Sequence, residues 1–322
     1  MADLAEQVLK GDRLALSRLI TRIENNSPDH HAVLDKLFTH TGKAHIIGVT
    51  GPSGSGKSTL VNSLALNMVS GENGKSSHRI GIIAVDPTSP YTGGALLGDR
   101  VRMRDLAVHS DIFIRSMASR GALGGIARAA DSATLVMDAA GYNIILIETV
   151  GAGQSEVEIA RLAHTTIVVE APGLGDDIQA AKAGILEIAD VLVVNKSDKS
   201  AADGTAQVLT AMLAVGEELH TQSKKNSHSS WQVPVIKTSA LNGDGIDELA
   251  AAVNAHRAFL RDSGEWKTRS EARLKDLLEQ LVRDSLYDTW NDPPNQVKMG
   301  KILRMVADHK RSPYQAARDL LK

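Results

Sequence analysis

Gly51-Pro52-Ser53-Gly54-Ser55-Gly56-Lys57-Ser58 has the spacing G-x-x-x-x-G-K-[ST], and its flanks restrict the fold more than any other stretch of the chain. Ala44–Val49 before it is an aliphatic run of strand type, and Thr59–Leu66 after it has the composition of a helix. A strand, a glycine-rich turn and a helix in that order let backbone N–H groups surround a phosphate. Glycine permits the wrapped backbone, and the helix N-terminus adds partial positive charge. Lys57 is expected to reach the β- and γ-phosphates of a nucleotide, and the Ser58 hydroxyl to ligate Mg²⁺. The residues expected to hold the phosphates are Gly51, Pro52, Ser53, Gly54, Ser55, Gly56, Lys57, Ser58 and Thr59.

A second motif bears on the base. Val191–Val194 is a β-branched, apolar run that reads as an interior parallel strand, and Asn195-Lys196-Ser197-Asp198 follows it directly. Doubly wound sheets bind ligands at that edge. The Asp198 carboxylate can accept from guanine N1–H and N2–H₂ together. Adenine lacks that donor pair and would leave the carboxylate unpaired. The Lys196 stem can cover a face of the base. A third triplet, Ser239-Ala240-Leu241, follows the strand-like Val233–Ile236, and the Ala240 N–H is expected to meet guanine O6. GTP or GDP is therefore the expected nucleotide.

Strand-like segments recur at Arg79–Val85, Asp111–Arg115, Asn143–Ile147 and Thr165–Val169, separated by alanine-rich helical stretches. Continuous apolar strands alternating with helices predict an α/β fold: a mostly parallel sheet covered on both faces. Residues 1–42 read as a helical N-terminal extension, with Asp12 as an N-cap and a second helix over His31–Phe38. Residues 43–261 read as the nucleotide-binding domain, and 262–322 as a helical arm. In the arm, Leu274, Leu277, Leu278, Leu281 and Val282 share one helical face, Pro293-Pro294 is expected to stop that helix, and Ser312-Pro313 to start the last one. That apolar face needs a partner, either its own core or a second subunit.

Composition narrows the classes. With 322 residues, 43% of them hydrophobic, the chain can bury a sizeable core. A net charge of −2 gives no general attraction to nucleic acid or an anionic membrane. Cysteine is absent, which rules out thiolate metal sites and fits a reducing compartment. No stretch has the length and apolarity of a membrane span, and the start lacks a signal-peptide pattern, so a cytoplasmic location is expected. The histidines are scattered singles apart from His30-His31, and a lone histidine is more often structural than a ligand.

A nucleotide hydrolase also needs elements that sense the γ-phosphate. The sole D-x-x-G, Asp138-Ala139-Ala140-Gly141, precedes its strand and is expected to be a decoy. The equivalent place after Asn143–Ile147 holds Glu148-Thr149-Val150-Gly151. Glu148 there can serve a Mg²⁺ shell, and Gly151 can offer its N–H to the γ-phosphate. The strand ending at Val85 delivers Asp86, a second acid at the same edge or simply a turn residue before Pro87. Pro172–Gly175 is a flexible stretch followed by Asp176-Asp177. Lys182 comes within reach of a phosphate if that loop folds inward, and is otherwise a solvated helix residue. The role of Gln154 is open.

Four blocks together, Val85–Met103, Ser119–Gly125, Glu148–Glu156 and Pro172–Gly184, make the chain resemble the MeaB/ArgK family, the GTPases associated with methylmalonyl-CoA mutase. The resemblance covers the nucleotide-binding core in order; the helical ends match in type. It implies slow, Mg²⁺-dependent GTP hydrolysis by a P-loop protein that acts as chaperone to an adenosylcobalamin-dependent acyl-CoA mutase, gating cofactor loading and protecting the mutase. It implies metal and hydrolytic roles for Asp86, Asp99 and Glu148, switch segments at 86–104 and 148–164, and a third at 171–184 with Asp176 and Lys182 as movers. It also implies a homodimer to which the C-terminal helices contribute. Two other readings stand beside it. One is a metal-insertion GTPase, for which the cysteine ligands are missing. The other is an ATPase or kinase component of amino-acid transport, which Asn195–Asp198 argues against.

Overall fold

The computed structural model describes residues 3–27, 29–70, 78–86, 105–118, 125–149, 155–173, 186–221 and 231–321. Seven strands form one parallel sheet: β1 (His45–Thr50), β2 (Ile80–Asp86), β3 (Ile112–Ala118), β4 (Ile144–Glu148), β5 (Thr165–Glu170), β6 (Val191–Asn195) and β7 (Val235–Thr238). Their order is β3-β2-β4-β1-β5-β6-β7, so β1 sits at the centre and the chain leaves it to both sides. β1, β4 and β6 are buried at every position, on both faces. Their aliphatic runs have no alternation because helices cover both sides.

The helices are α1 (Leu4–Leu9), α2 (Arg13–Glu24), α3 (His30–Phe38), α4 (Lys57–Ser70), α5 (Gly125–Ala139), α6 (Ser155–Leu162), α7 (Ala202–Thr221), α8 (Ile246–Asp262), α9 (Glu265–Trp290), α10 (Pro293–Ala307) and α11 (Pro313–Leu320). On one face, Val8, Leu16, Leu19 and Ile20 of the N-terminal helices join Val136 and Met137 of α5, Ile159 of α6 and Ile83, Ile145 and Ile147 of the sheet in one core. On the other, Leu60, Val61 and Leu64 of α4 and Ile246, Leu249 and Val253 of α8 pack on Ile47, Val49, Ile167 and Val193. α7 closes a smaller cluster over Leu192 and Val194.

Local signals set most boundaries. The Asp12 carboxylate accepts from Leu14 N and Ala15 N at 2.8 and 3.0 Å, as an N-cap should. α11 carries a full capping box between Ser312 and Gln315. The expected strands run one to three residues further toward the C-terminus, because ladder pairing continues past the apolar run. β4 thus includes Glu148, paired with Val49 and Ala84. α9 stops at Trp290, just short of Pro293 and Pro294. They fill the first turn of α10 behind the N-cap Asp292, where a missing N–H costs nothing.

The chain divides into two compact units, Met1–Arg273 and Leu274–Lys322. In the second, Trp290 Nε1 donates to Leu320 O at 3.0 Å, and Arg311 pairs with Asp319. Among the described residues no helix is long and apolar enough to cross a membrane.

Candidate nucleotide site

The glycine-rich turn leaves the C-terminal end of β1, the central strand, and enters α4. Gly51 adopts φ +137°, and a Cβ there would stand 2.1 Å from Val169 O of β5. Gly56 adopts φ +94°, and its Cβ would stand 2.4 Å from Asn195 Nδ2. Only glycine meets both demands. Ser53 and Gly54 are exposed at the tip, Ser55 is buried beneath it, and Thr59 lies half-buried in the first turn of α4. Lys57 is buried, and its Nζ donates to Gly51 O at 2.8 Å and Pro52 O at 2.9 Å. The ammonium is thus held against the loop it must serve.

One turn of chemistry lies beside it. The Ser58 hydroxyl donates to Glu148 Oε1 at 2.6 Å, which joins the first turn of α4 to the end of β4. Glu148 is buried at 5% exposure. A hydroxyl and a carboxylate in contact are hard oxygen donors of the kind Mg²⁺ takes, so the pair fits that ion. β2 brings Asp86 to the same sheet edge, in register with Ala118 of β3. Asp99, Gly151 and Lys182 lie outside the described residues, as does Gln154. Among the described residues no group of three or more His, Cys, Asp or Glu side chains could hold a metal ion.

The motifs expected to read the base meet the phosphate loop through Asn195, a side chain expected to serve only the base. Asn195 Nδ2 donates to Ser55 O at 2.9 Å, while its Oδ1 accepts from Thr238 Oγ1 at 3.2 Å and Ala240 N at 3.1 Å. Asn195 therefore bolts the phosphate loop to the Ser239–Leu241 loop. The Ala240 N–H, expected to face a base oxygen, is engaged by this bolt. Lys196 takes a left-handed conformation, φ +59°, and its Nζ donates to Gly54 O at 2.6 Å, so its stem bridges the two loops. Asp198 is exposed, and the buried Ser239 donates to its Oδ1 at 3.1 Å. That bond aims a carboxylate that would otherwise rotate freely. Leu241 is exposed at the loop tip.

Asp138 of the misplaced D-x-x-G is structural. Its carboxylate accepts from the N–H groups of Gly42, Lys43 and Ala44, at 2.6 to 3.1 Å, and anchors the chain entering β1.

At the opposite sheet edge, three scattered histidines converge. His45 Nε2 lies 2.7 Å from Thr165 Oγ1, and that hydroxyl lies 2.8 Å from His256 Nδ1. His164 Nδ1 accepts from Ile46 N at 3.1 Å, and its ring stacks on Trp266 at 4.1 Å between centroids. Asp190 accepts both terminal nitrogens of Arg269, at 2.8 and 2.9 Å, and also Thr166 N at 2.8 Å. Burial alone would raise the Asp190 carboxyl; its bonds to His256 and Arg269 outweigh that and hold it low. Burial, with arginines nearby, pushes His164 down to about 3. Burial likewise holds His45 well below the usual imidazole range. The three histidines, Thr165 and Asp190 of this network are buried, and it serves the architecture.

The relatives agree with the geometry. The model of the family described as methylmalonyl Co-A mutase-associated GTPase MeaB matches residues 16–295. A Pyrococcus abyssi protein that bears the name of a GTPase is 42% identical, over 99% of this chain and 95% of its own. The GTPase ArgK of Escherichia coli is 34% identical over 99% of this chain and 95% of its own. A solved structure described as a LAO/AO transport system kinase superposes with a TM-score of 0.70 at 27% identity, over 99% of this chain and 95% of that one. With its seven-stranded parallel sheet, its phosphate loop after β1 and its Asn195–Asp198 motif after β6, the chain belongs to the MeaB family of P-loop GTPases.

Proposed function

We propose that this GTPase is the nucleotide-driven chaperone of an adenosylcobalamin-dependent acyl-CoA mutase of the methylmalonyl-CoA type, gating cofactor loading and protecting the mutase. The observation that carries the reading is the family match over residues 16–295, joined to a phosphate loop and a guanine motif held at one sheet edge. In this reading Asp198 selects guanine, Lys57 and the backbone from Gly51 to Thr59 hold the phosphates, and Gly151 faces the γ-phosphate. Ser58, Glu148, Asp86 and Asp99 would hold Mg²⁺, which when bound neutralises charge on the phosphate oxygens. The chain's part is to bind, orient and exclude water. Lys182 arrives late, when the mutase folds segment 171–184 inward, which makes hydrolysis slow alone and faster with the partner. The working form is a cytoplasmic homodimer joined through the C-terminal arm.

The test is GTP hydrolysis with Mg²⁺, with and without a purified cobalamin-dependent acyl-CoA mutase from the same organism. Stimulation that Lys182→Ala blunts, with intrinsic turnover spared, supports the reading. Tight GTP binding with no stimulation by any acyl-CoA mutase overturns the partner assignment. The name of the solved relative favours a second reading, a transport kinase. Running the same assay with ATP separates the two, because the donor pair that Asp198 accepts is absent from adenine.

A further inference from the structure

We propose that Ser63 is a positioning residue for guanine recognition: from the helix that follows the phosphate loop, it holds the peptide of Ala240 in the base-reading loop. This rests on the reading of Asn195–Asp198 and Ser239–Leu241 as the base site.

Ser63 lies on α4, six residues after Lys57, and is half-buried. A serine inside a helix can bond back to the carbonyl four residues earlier. Ser70 of the same helix does so, donating to Leu66 O at 2.7 Å. Ser63 does not. Its hydroxyl crosses to Ala240 O, also at 2.7 Å. Ala240 is then gripped on both polar groups, its N–H by Asn195 at 3.1 Å and its carbonyl by Ser63. One turn along the same face of α4, Asn67 Nδ2 donates to Asp247 Oδ1 at 2.5 Å, which fastens the loop's exit into α8.

This grip adds to the loop's own turn bonds, Ser239 N to Asp244 O at 3.0 Å and Gly243 N to Ser239 O at 2.8 Å. Gly243 and Gly245 both sit at positive φ, +86° and +71°, so the backbone there has little intrinsic preference for one path. Leu241 is 88% exposed and adds no packing, so the buried Ala240 is the point at which this loop is anchored. The loop also carries Ser239, whose hydroxyl aims Asp198. Loosening Ala240 therefore loosens the carboxylate that reads the base, while Lys57 and the phosphate loop keep their own bonds. The helix that presents the phosphate ligands thus also sets the base reader's position.

The experiment compares wild type, Ser63→Ala and Ser63→Thr for binding of GDP, IDP and inorganic tripolyphosphate. Hypoxanthine lacks the 2-amino group that Asp198 would accept, and tripolyphosphate has no base. Ser63→Ala should weaken GDP about 3- to 10-fold, the worth of one such hydrogen bond. It should act through faster release, narrow the GDP-over-IDP preference and leave tripolyphosphate binding unchanged. Ser63→Thr keeps the hydroxyl and should restore GDP. Equal losses for GDP and tripolyphosphate, or no loss at all, would overturn the proposal. Asp198→Asn, run in parallel with XDP, separates the two layers. No shift toward XDP would refute the base site itself; a shift with Ser63→Ala silent would refute Ser63 alone.

Discussion

Lys57 and Asn195 do different work with similar economy of contacts. The Lys57 ammonium rests on Gly51 O and Pro52 O, so it stays at the loop mouth before any phosphate arrives. A charged donor on an anion is among the stronger hydrogen-bonding groups. Lys57→Ala should therefore cut GDP and GTP affinity by about 100-fold or more, measured by fluorescent-nucleotide titration. Unchanged affinity would remove the phosphate-loop assignment. Asn195 acts on the protein instead. Asn195→Ala would strand the Ser55 carbonyl and the Ala240 N–H in a buried setting, at about 2–4 kcal/mol of stability. Asn195→Asp keeps the acceptor for Thr238 and Ala240 but sets a buried carboxylate oxygen against the Ser55 carbonyl, so it should cost at least as much in denaturant unfolding. A cost well below that of Asn195→Ala would mean that the acceptor bonds to Thr238 and Ala240 carry most of the effect.

At the scale of elements, what could be read in advance depended on whether partners are neighbours in sequence. The phosphate loop was legible because strand, glycines, lysine and helix are contiguous. Glu148 and Asp86 were expected at the ligand edge because strands end there, and β4 and β2 bring them to it; Asp99 came from the family blocks and lies outside the described residues. The Asn195 bolt was not, since Ser55 and Ala240 lie 140 and 45 residues away. His45, His164 and His256 read as scattered singles. Parallel pairing brings the starts of β1 and β5 side by side, and α8 adds the third histidine. That network fixes a pH dependence. His164 and His45 are held neutral in the fold, well below the usual imidazole value of about 6.5. The unfolded chain therefore binds more protons below that pH, and stability falls as pH drops from about 6.5 toward 3. The depressed Asp190 acts in the same sense at the low end of that window, while Asp138, raised chiefly by burial, opposes it. Two such histidines should give a loss of about 1–2.5 kcal/mol per pH unit between pH 6 and 5, seen in urea unfolding. His164→Gln should flatten that slope by about half. An unchanged slope would place the titrating groups elsewhere.

The molecule as a whole poses the question of its arm. Within Leu274–Lys322, Leu278, Val282 and Leu286 recur every four residues along α9 and stand 62%, 49% and 66% exposed. Val297 and Leu303 on α10 are 61% exposed each. A helix face of this kind left to water is a surface that a partner should cover. Charge is segregated along the same arm. Asp276, Glu279, Asp284, Asp288 and Asp292 outnumber Lys275 and Arg283 on this part of α9 and its end, whereas Lys298, Lys301, Arg304, Lys310, Arg311, Arg318 and Lys322 outnumber Asp308 and Asp319 on and after α10. A second copy of the arm lying antiparallel would set each acidic stretch on a basic one, a pattern that favours self-association over stacking of like charges. For the proposed homodimer, Val282→Glu combined with Leu286→Glu should yield monomers in light scattering, because four carboxylates would face one another across a symmetric interface. Both residues lie on the arm and outside the nucleotide site, so GDP affinity should stay within about twofold of the wild type, the size of a ±0.5 kcal/mol surface change. A dimer that survives both substitutions would assign the interface to another surface. A loss of GDP binding together with the dimer would mean that the two sites form only as a pair.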